Sequence, residues 1–279
     1  KRLAGAVKAA RDDDQNKVYI CSTVNPDDPK NSTQKPVNLT QEIADIMNKN
    51  SDITFVRCED HGTNCAMFSM RGSVNVTLDG AHIDGQKIQS SGSLISISAG
   101  GSLTVTGNTI IENGYTTGNG GAISLSQSSL TMTGGEIRNN FAKGSGGKPG
   151  GGGIYAYSNS NGSGLTFEGG KISNNRTDQY GGGVFIGYAP SNFGVSGGKT
   201  IFDGNTAKMG GGVYFENETH HIYRAEFTNN TATRESLGAY YCGGGIYIET
   251  GTNVYMKNVY IADNVSTKIG VEPRGGGLG

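Results

Sequence analysis

The chain has 279 residues, but 47 glycines, no tryptophan and 34% hydrophobic residues fit one turn-rich coil with a thin core better than two globular domains. A formal net charge of −1 argues against nucleic acid or an anionic membrane as the main partner. No apolar run approaches the ~20 residues of a spanning helix, so no membrane insertion is expected in this chain.

Taken in order, residues 1–60 read as an N-terminal cap with short helices and first strands. Leu3, Val7 and Ala10 mark one face of a helix that ends before Asp12-Asp13-Asp14. Val18 to Cys21 is a strand, followed by a loop with Pro26, Pro29 and Pro36. Thr40 is placed to cap a second helix with the apolar stripe Ile43, Ile46 and Met47. Ile53 to Val56 is again strand. A cap is needed because the open end of a β-coil exposes unpaired strand edges that recruit other chains.

Residues 61–279 form the repeat region. Val74-Val76-Leu78 and Leu94-Ile95-Ile97 are its first, imperfect turns. Runs of glycine then lead into Ile123, Ile154, Val184, Val213, Ile246 and Leu278, at intervals of 31, 30, 29, 33 and 32 residues. A second motif, apolar-x-x-Asn, falls at Ile110/Asn113, Ile137/Asn140, Ile172/Asn175, Phe202/Asn205, Phe227/Asn230 and Ile261/Asn264. Two motifs in step at one ~30-residue period are the signature of a solenoid. Within each unit the apolar residues alternate: Ile154/Ala156, Val184/Ile186, Val213/Phe215 and Ile246/Ile248, then Leu130/Met132, Leu165/Phe167 and Val254/Met256. Period-two runs bounded by Gly and Asn are short strands. Three per ~30 residues predict an all-β, right-handed parallel β-helix of the pectin-lyase-like type. Asn113, Asn140, Asn175, Asn205, Asn230 and Asn264 are expected to stack as an internal amide ladder.

Gly120-Gly121-Ala122-Ile123 and Phe227-Thr228-Asn229-Asn230 resemble the GGA[I/L/V] and FxxN repeats of the chlamydial polymorphic membrane protein family. The resemblance spans roughly residues 92 to 279, although most copies here read GGG and Ile often replaces Phe. It implies a β-helix and a surface-exposed adhesin. The repeat itself opens a new turn at Arg274–Gly279 and stops. Two readings follow: the chain continues, or the open end docks onto another copy, head to tail.

Four cysteines stand at 21, 58, 65 and 242. Cys58 and Cys65 are expected to bridge across one turn, with Cys21 in the same cap. Cys242 lies some six turns away, about 30 Å at the ~4.8 Å strand spacing. It is therefore out of reach of the cap, and free or intermolecular. Eight Asn-x-Ser/Thr sequons occur, at Asn31, Asn38, Asn75, Asn161, Asn175, Asn217, Asn229 and Asn264. Asn31, Asn161, Asn217 and Asn229 are the better glycan acceptors, since ladder positions leave no room.

Strand parity places Tyr155, Phe185, Tyr214 and Tyr247 outward in one column, suited to stacking, sugar faces or a lateral protein interface. Glu216 and Glu249 fall in the next outward column, the arrangement a retaining glycosidase uses. The matching positions Ser126, Tyr157 and Gly187 carry no acid or base. Asp178, Asp203 and Asp263 are scattered, and His220-His221 point to opposite faces. No metal or cofactor is therefore expected. The sequence reads as a secreted, cell-surface structural or adhesive protein, non-enzymatic, or a subunit of an extracellular filament. Its partners would be copies of itself, joined head to tail or laterally, or a host glycan or protein. The competing reading is a polysaccharide hydrolase or lyase using Glu216 and Glu249.

Overall fold

The structure is a computed structural model that describes residues 2–12, 14, 16–21, 35–59, 65–145, 149–158, 164–234, 242–268, 271–275 and 277–278. It is a parallel β-solenoid of about seven turns, consistent with a right-handed β-helix, with two helices among the described residues. Helix α1 (Arg2–Asp12) buries Val7 and Ala10. Helix α2 (Gln41–Asn48) is capped by Thr40, whose hydroxyl accepts from the Ile43 amide at 3.3 Å, and it buries Ala44 and Met47. The Arg11 guanidinium holds Asp52 at 2.7 Å, tying α1 to the chain after α2.

Each turn contributes to three sheets. The strands that follow the glycine runs lie in an eight-stranded front sheet in strict register, Ile123 on Ile154 on Val184 on Val213 on Ile246. The second and third strands of each turn merge into one fourteen-stranded sheet. In Ser129–Arg138 the chain passes from one column to the other without a break, bending at an irregularity beside Thr133. The third sheet contains the strands that follow the ladder asparagines, and most of its strands are two residues long, such as Phe141–Ala142 and Arg176–Thr177. Among the described residues pairing is parallel except at the end, where Val271–Gly275 runs antiparallel to Val265–Lys268.

The corners explain the glycine runs. Gly210 sits at φ 61°, a conformation that L side chains avoid. A Cβ on Gly211 would overlap the carbonyl of Gly244 on the next turn, so the backbones can approach only without a side chain.

The core is a single column of inward residues running the length of the coil. Its aromatic segment packs Phe167 against Phe193 at 4.8 Å, and Phe202 face to face on Phe227 at 4.7 Å. No turn buries its inward face alone, so each such ring depends on the turns above and below it.

Candidate functional site

The amide ladder is the fixed spine from which the outer faces are hung. Asn140, Asn175, Asn205, Asn230 and Asn264 pass one hydrogen bond to the next, Nδ2 to Oδ1, at 2.9, 3.1, 2.9 and 2.9 Å. Each Nδ2 also donates to a carbonyl of the turn before, as Asn205 does to Ile172 at 2.9 Å. Each Oδ1 of the last four also accepts the backbone N–H of the preceding asparagine. Asn113 is not a member. In its turn Ile111, not Ile110, pairs with Ile137, so the ladder position is Gly114, whose N–H donates to Asn140 Oδ1 at 2.8 Å. Asn113 lies one residue earlier, at φ 57°, and donates to Asp84 at 3.0 Å.

The front sheet carries the aromatic column. Tyr155, Phe185, Tyr214 and Tyr247 are in register and stack with centroids 5.4, 5.3 and 5.0 Å apart. They lie outside the coil, but the middle of the column is covered: Phe185 is 1% exposed and Tyr214 2%. They form a second, small apolar cluster with Met209, Ala232 and Cys242. Tyr180, Met209 and Cys242 each directly precede a glycine run, so they form a flanking column. Tyr180 stacks on Tyr214 at 5.0 Å. Cys242 is buried there, with its thiol unbonded within the chain. What the column presents outward is Tyr155 and Tyr247, both half-buried, extended by Tyr157 and Tyr188, whose rings lie 5.3 Å apart and are 38% and 40% exposed. Parity alone did not reveal Tyr188, because it sits past the strand end at φ 54°.

Glu216 and Glu249 belong to this face. The Tyr214 hydroxyl donates to Glu249 at 2.8 Å, and Glu216 is 9% exposed, reaching towards the Cβ-less Gly187. Burial, then the bond to Glu249, pushes the Tyr214 phenol well above its usual range, and burial pushes Tyr155 up to about 12. The Tyr214 phenol is therefore held as the donor of its bond to Glu249. Glu249 is already engaged as an acceptor. On the earlier turns the same face changes character: Ser96 and Ser124 stand in register with Tyr155.

The fourteen-stranded sheet carries a polar chain on its outer side. His82 bonds Glu112 at 2.7 Å, and Arg138 bridges Glu112 at 2.8 Å and Glu136 at 2.9 Å. Burial alone would raise the Glu112 carboxyl, but the bonds from Arg138 and His82 outweigh it and hold it below the usual range. The two histidines of the His220-His221 pair separate as strand parity requires. His220 is fully buried against Phe215, with Ser191 Oγ at 2.8 Å from its Nδ1 and the Asn217 carbonyl at 2.8 Å from its Nε2. No group of three metal-ligating side chains occurs among the described residues.

The disulfide joins Cys21 to Cys58, not Cys58 to Cys65, with Cα atoms 4.9 Å apart. The strand Lys17–Ile20 pairs alongside Thr54–Arg57, which brings the residues after each strand together. Cys65 is a free thiol pushed up by burial, against the pull of Arg57. Of the glycan acceptors, Asn229 is exposed and donates to Asp203 at 2.8 Å, and Asn217 is half-buried at φ 58°. Asn31 and Asn161 lie outside the described residues.

No curated protein and no solved structure matches the chain. A family model does: residues 225–249 match the Chlamydia polymorphic membrane protein (Chlamydia_PMP) repeat. The matched stretch contains both motifs, Phe227-Thr228-Asn229-Asn230 and Gly243-Gly244-Gly245-Ile246, hence one ladder asparagine and one glycine corner. In this stretch the coil resembles the repeats of the chlamydial polymorphic membrane proteins.

Proposed function

We propose that this protein is a non-enzymatic adhesive β-solenoid displayed outside the cell. The observation that carries this reading is the polymorphic-membrane-protein-type repeat, built here into a rod whose later turns are joined along the axis by the asparagine ladder. Proteins with this repeat act at cell surfaces, and a rod of stacked turns presents the same outward positions over and over. The contact surface is the exposed border of the aromatic face, Tyr155, Tyr157, Tyr188 and Tyr247, taking a glycan or protein on the target surface. Secretion, glycosylation at Asn217 and Asn229, and joining of copies into filaments belong to the same reading.

Beads coated with the protein test it. Coated beads should attach to host cells, and Tyr157→Ser with Tyr188→Ser should reduce attachment at temperatures where the double variant remains folded. Attachment equal to that of uncoated beads would overturn the adhesive role. Electron microscopy of unreduced material reads the filament part separately.

The neighbouring carboxylates Glu216 and Glu249 support a second reading, hydrolysis or cleavage of a polysaccharide. Turnover of any polysaccharide that disappears in Glu216→Gln would replace the adhesive reading.

A further inference from the structure

A groove of about 540 Å³ lies on another face, at the corner between the fourteen-stranded sheet and the two-residue strands. Its floor is the pair Tyr115 and Phe141 on adjacent turns, with centroids 4.9 Å apart and planes at 86°. At one end Arg176 lies over the Phe141 ring at 5.6 Å. At the other end is Lys87. Its position comes from an enlarged corner: four residues separate Asp84 from Gln89, where two separate Glu112 from Tyr115 and Arg138 from Phe141. The extra residues form a lip that carries Lys87 at φ 57° beside the floor.

The rim is made of Asn139 and Asn174, both exposed, at φ 57° and 54°. The next turn has Gly204 at this corner, so the backbone does not require an amide there. Neither side chain hydrogen-bonds another described residue, in contrast to the fully engaged ladder asparagines beside them. Among the described residues no carboxylate pairs with Lys87, while Arg176 shares its charge with Asp178 at 3.1 Å, both side chains being open to solvent.

We infer that this groove binds a short acidic oligosaccharide. One ring face of the edge-to-face aromatic pair takes the apolar face of a pyranose ring, the rim amides take hydroxyls, and the two cations take carboxylate or sulfate groups. The four residues Lys87, Tyr115, Phe141 and Arg176 ride on successive turns, so the groove spans about 14 Å along the axis at ~4.8 Å per turn. That is the length of a few sugar units. An extended peptide fits less well, because the strands flanking the groove are paired on both sides and offer no edge for backbone hydrogen bonds. Two cations are too few for a nucleic acid chain.

The inference rests on the adhesive reading for its biological use, yet it is tested without cells. Calorimetric titration of the whole chain with trigalacturonate, a sulfated trisaccharide, maltotriose and hexaglutamate separates the possibilities. Trigalacturonate or the sulfated sugar should bind, more weakly as salt rises, and maltotriose should not. Lys87→Ser combined with Arg176→Gln, both exposed positions, should weaken binding by about tenfold or more. Phe141→Leu, checked for an unchanged unfolding midpoint, should weaken it at constant charge. Absence of binding by either acidic sugar, equal binding of hexaglutamate, or indifference to the double substitution would overturn the groove. Bead attachment that survives this result leaves the adhesive reading standing.

Discussion

Asn205 Nδ2 donates to Asn230 Oδ1 at 2.9 Å while the same nitrogen donates to the carbonyl of Ile172 on the preceding turn, also at 2.9 Å. One side chain thus joins three turns. Its oxygen is equally occupied, accepting both N and Nδ2 of Asn175 at 3.0 and 3.1 Å. Asn205→Ala therefore leaves several fully buried groups without partners, at ~1–3 kcal/mol each. The expected loss of stability is roughly 3–5 kcal/mol in urea unfolding. Asn205→Asp should not rescue it, since a buried carboxylate oxygen in place of Nδ2 would face the Ile172 and Asn230 acceptors. A loss below about 1 kcal/mol for the alanine variant would mean that the ladder is decorative.

The buried His220 makes stability depend on pH. Burial holds it down at about 4, and its two bonds fix the neutral form with hydrogen on Nε2, donated to Asn217, and Nδ1 accepting from Ser191. The unfolded chain, with an ordinary value near 6.5, binds the proton first as pH falls. The stabilising contribution is whole above about pH 6.5 and is lost progressively towards pH 4, about 3 kcal/mol in total. Urea midpoints measured at intervals from pH 7.5 to 4.5 should fall across that window. His220→Leu should flatten the slope between pH 6.5 and 4.5 whatever it does to absolute stability. An unchanged slope would place the titrating group elsewhere.

Much of this was legible in the sequence, and the reasons for the rest are specific. The period, the inward parity and the parallel stacking follow from two motifs that each repeat once per turn. The missed ladder register at Asn113 has a simple cause. Ile110 and Ile111 are adjacent, and the motif fits the first with Asn113 and the second with Gly114; only pairing to Ile137 decides. Strands of two residues such as Phe141–Ala142 are too short to show a period. Parity put Phe185 and Tyr214 outside the coil, but it does not report what covers an outward side chain. The Cys21 to Cys58 bond depends on which strands lie side by side, and sequence separation favoured the nearer pair.

The bond between Cys21 and Cys58 closes a loop with a sequence separation of 37 residues around the cap. On chain-entropy grounds its removal costs about 4 kcal/mol. Cys21→Ser should lower the unfolding midpoint of the cap, and a reducing agent should reproduce that shift in the native chain. Cys65→Ser should leave it in place. Peptide mapping of unreduced protein gives the independent check, because a Cys58–Cys65 fragment would contradict the arrangement directly.

Tyr214 separates what the aromatic column does for the fold from what it does for binding. Its ring is stacked between Phe185 and Tyr247, flanked by Tyr180, and 2% exposed, while its hydroxyl reaches Glu249. Tyr214→Phe keeps the stack and removes one bond to a carboxylate, so a loss of about 1.5–3 kcal/mol is the upper range expected. Tyr214→Ala also opens a cavity among three rings and should cost about 3–5 kcal/mol. Tyr214→Phe leaves the border formed by Tyr155, Tyr157, Tyr188 and Tyr247 in place, whereas Tyr214→Ala also removes the ring on which Tyr247 stacks. In bead-attachment assays well below the unfolding temperature, Tyr214→Phe should therefore match the native protein, and Tyr157→Ser with Tyr188→Ser should not. If Tyr214→Phe abolishes attachment while the fold holds, the Tyr214–Glu249 pair itself touches the ligand, and the carboxylates rather than the ring border are the working site.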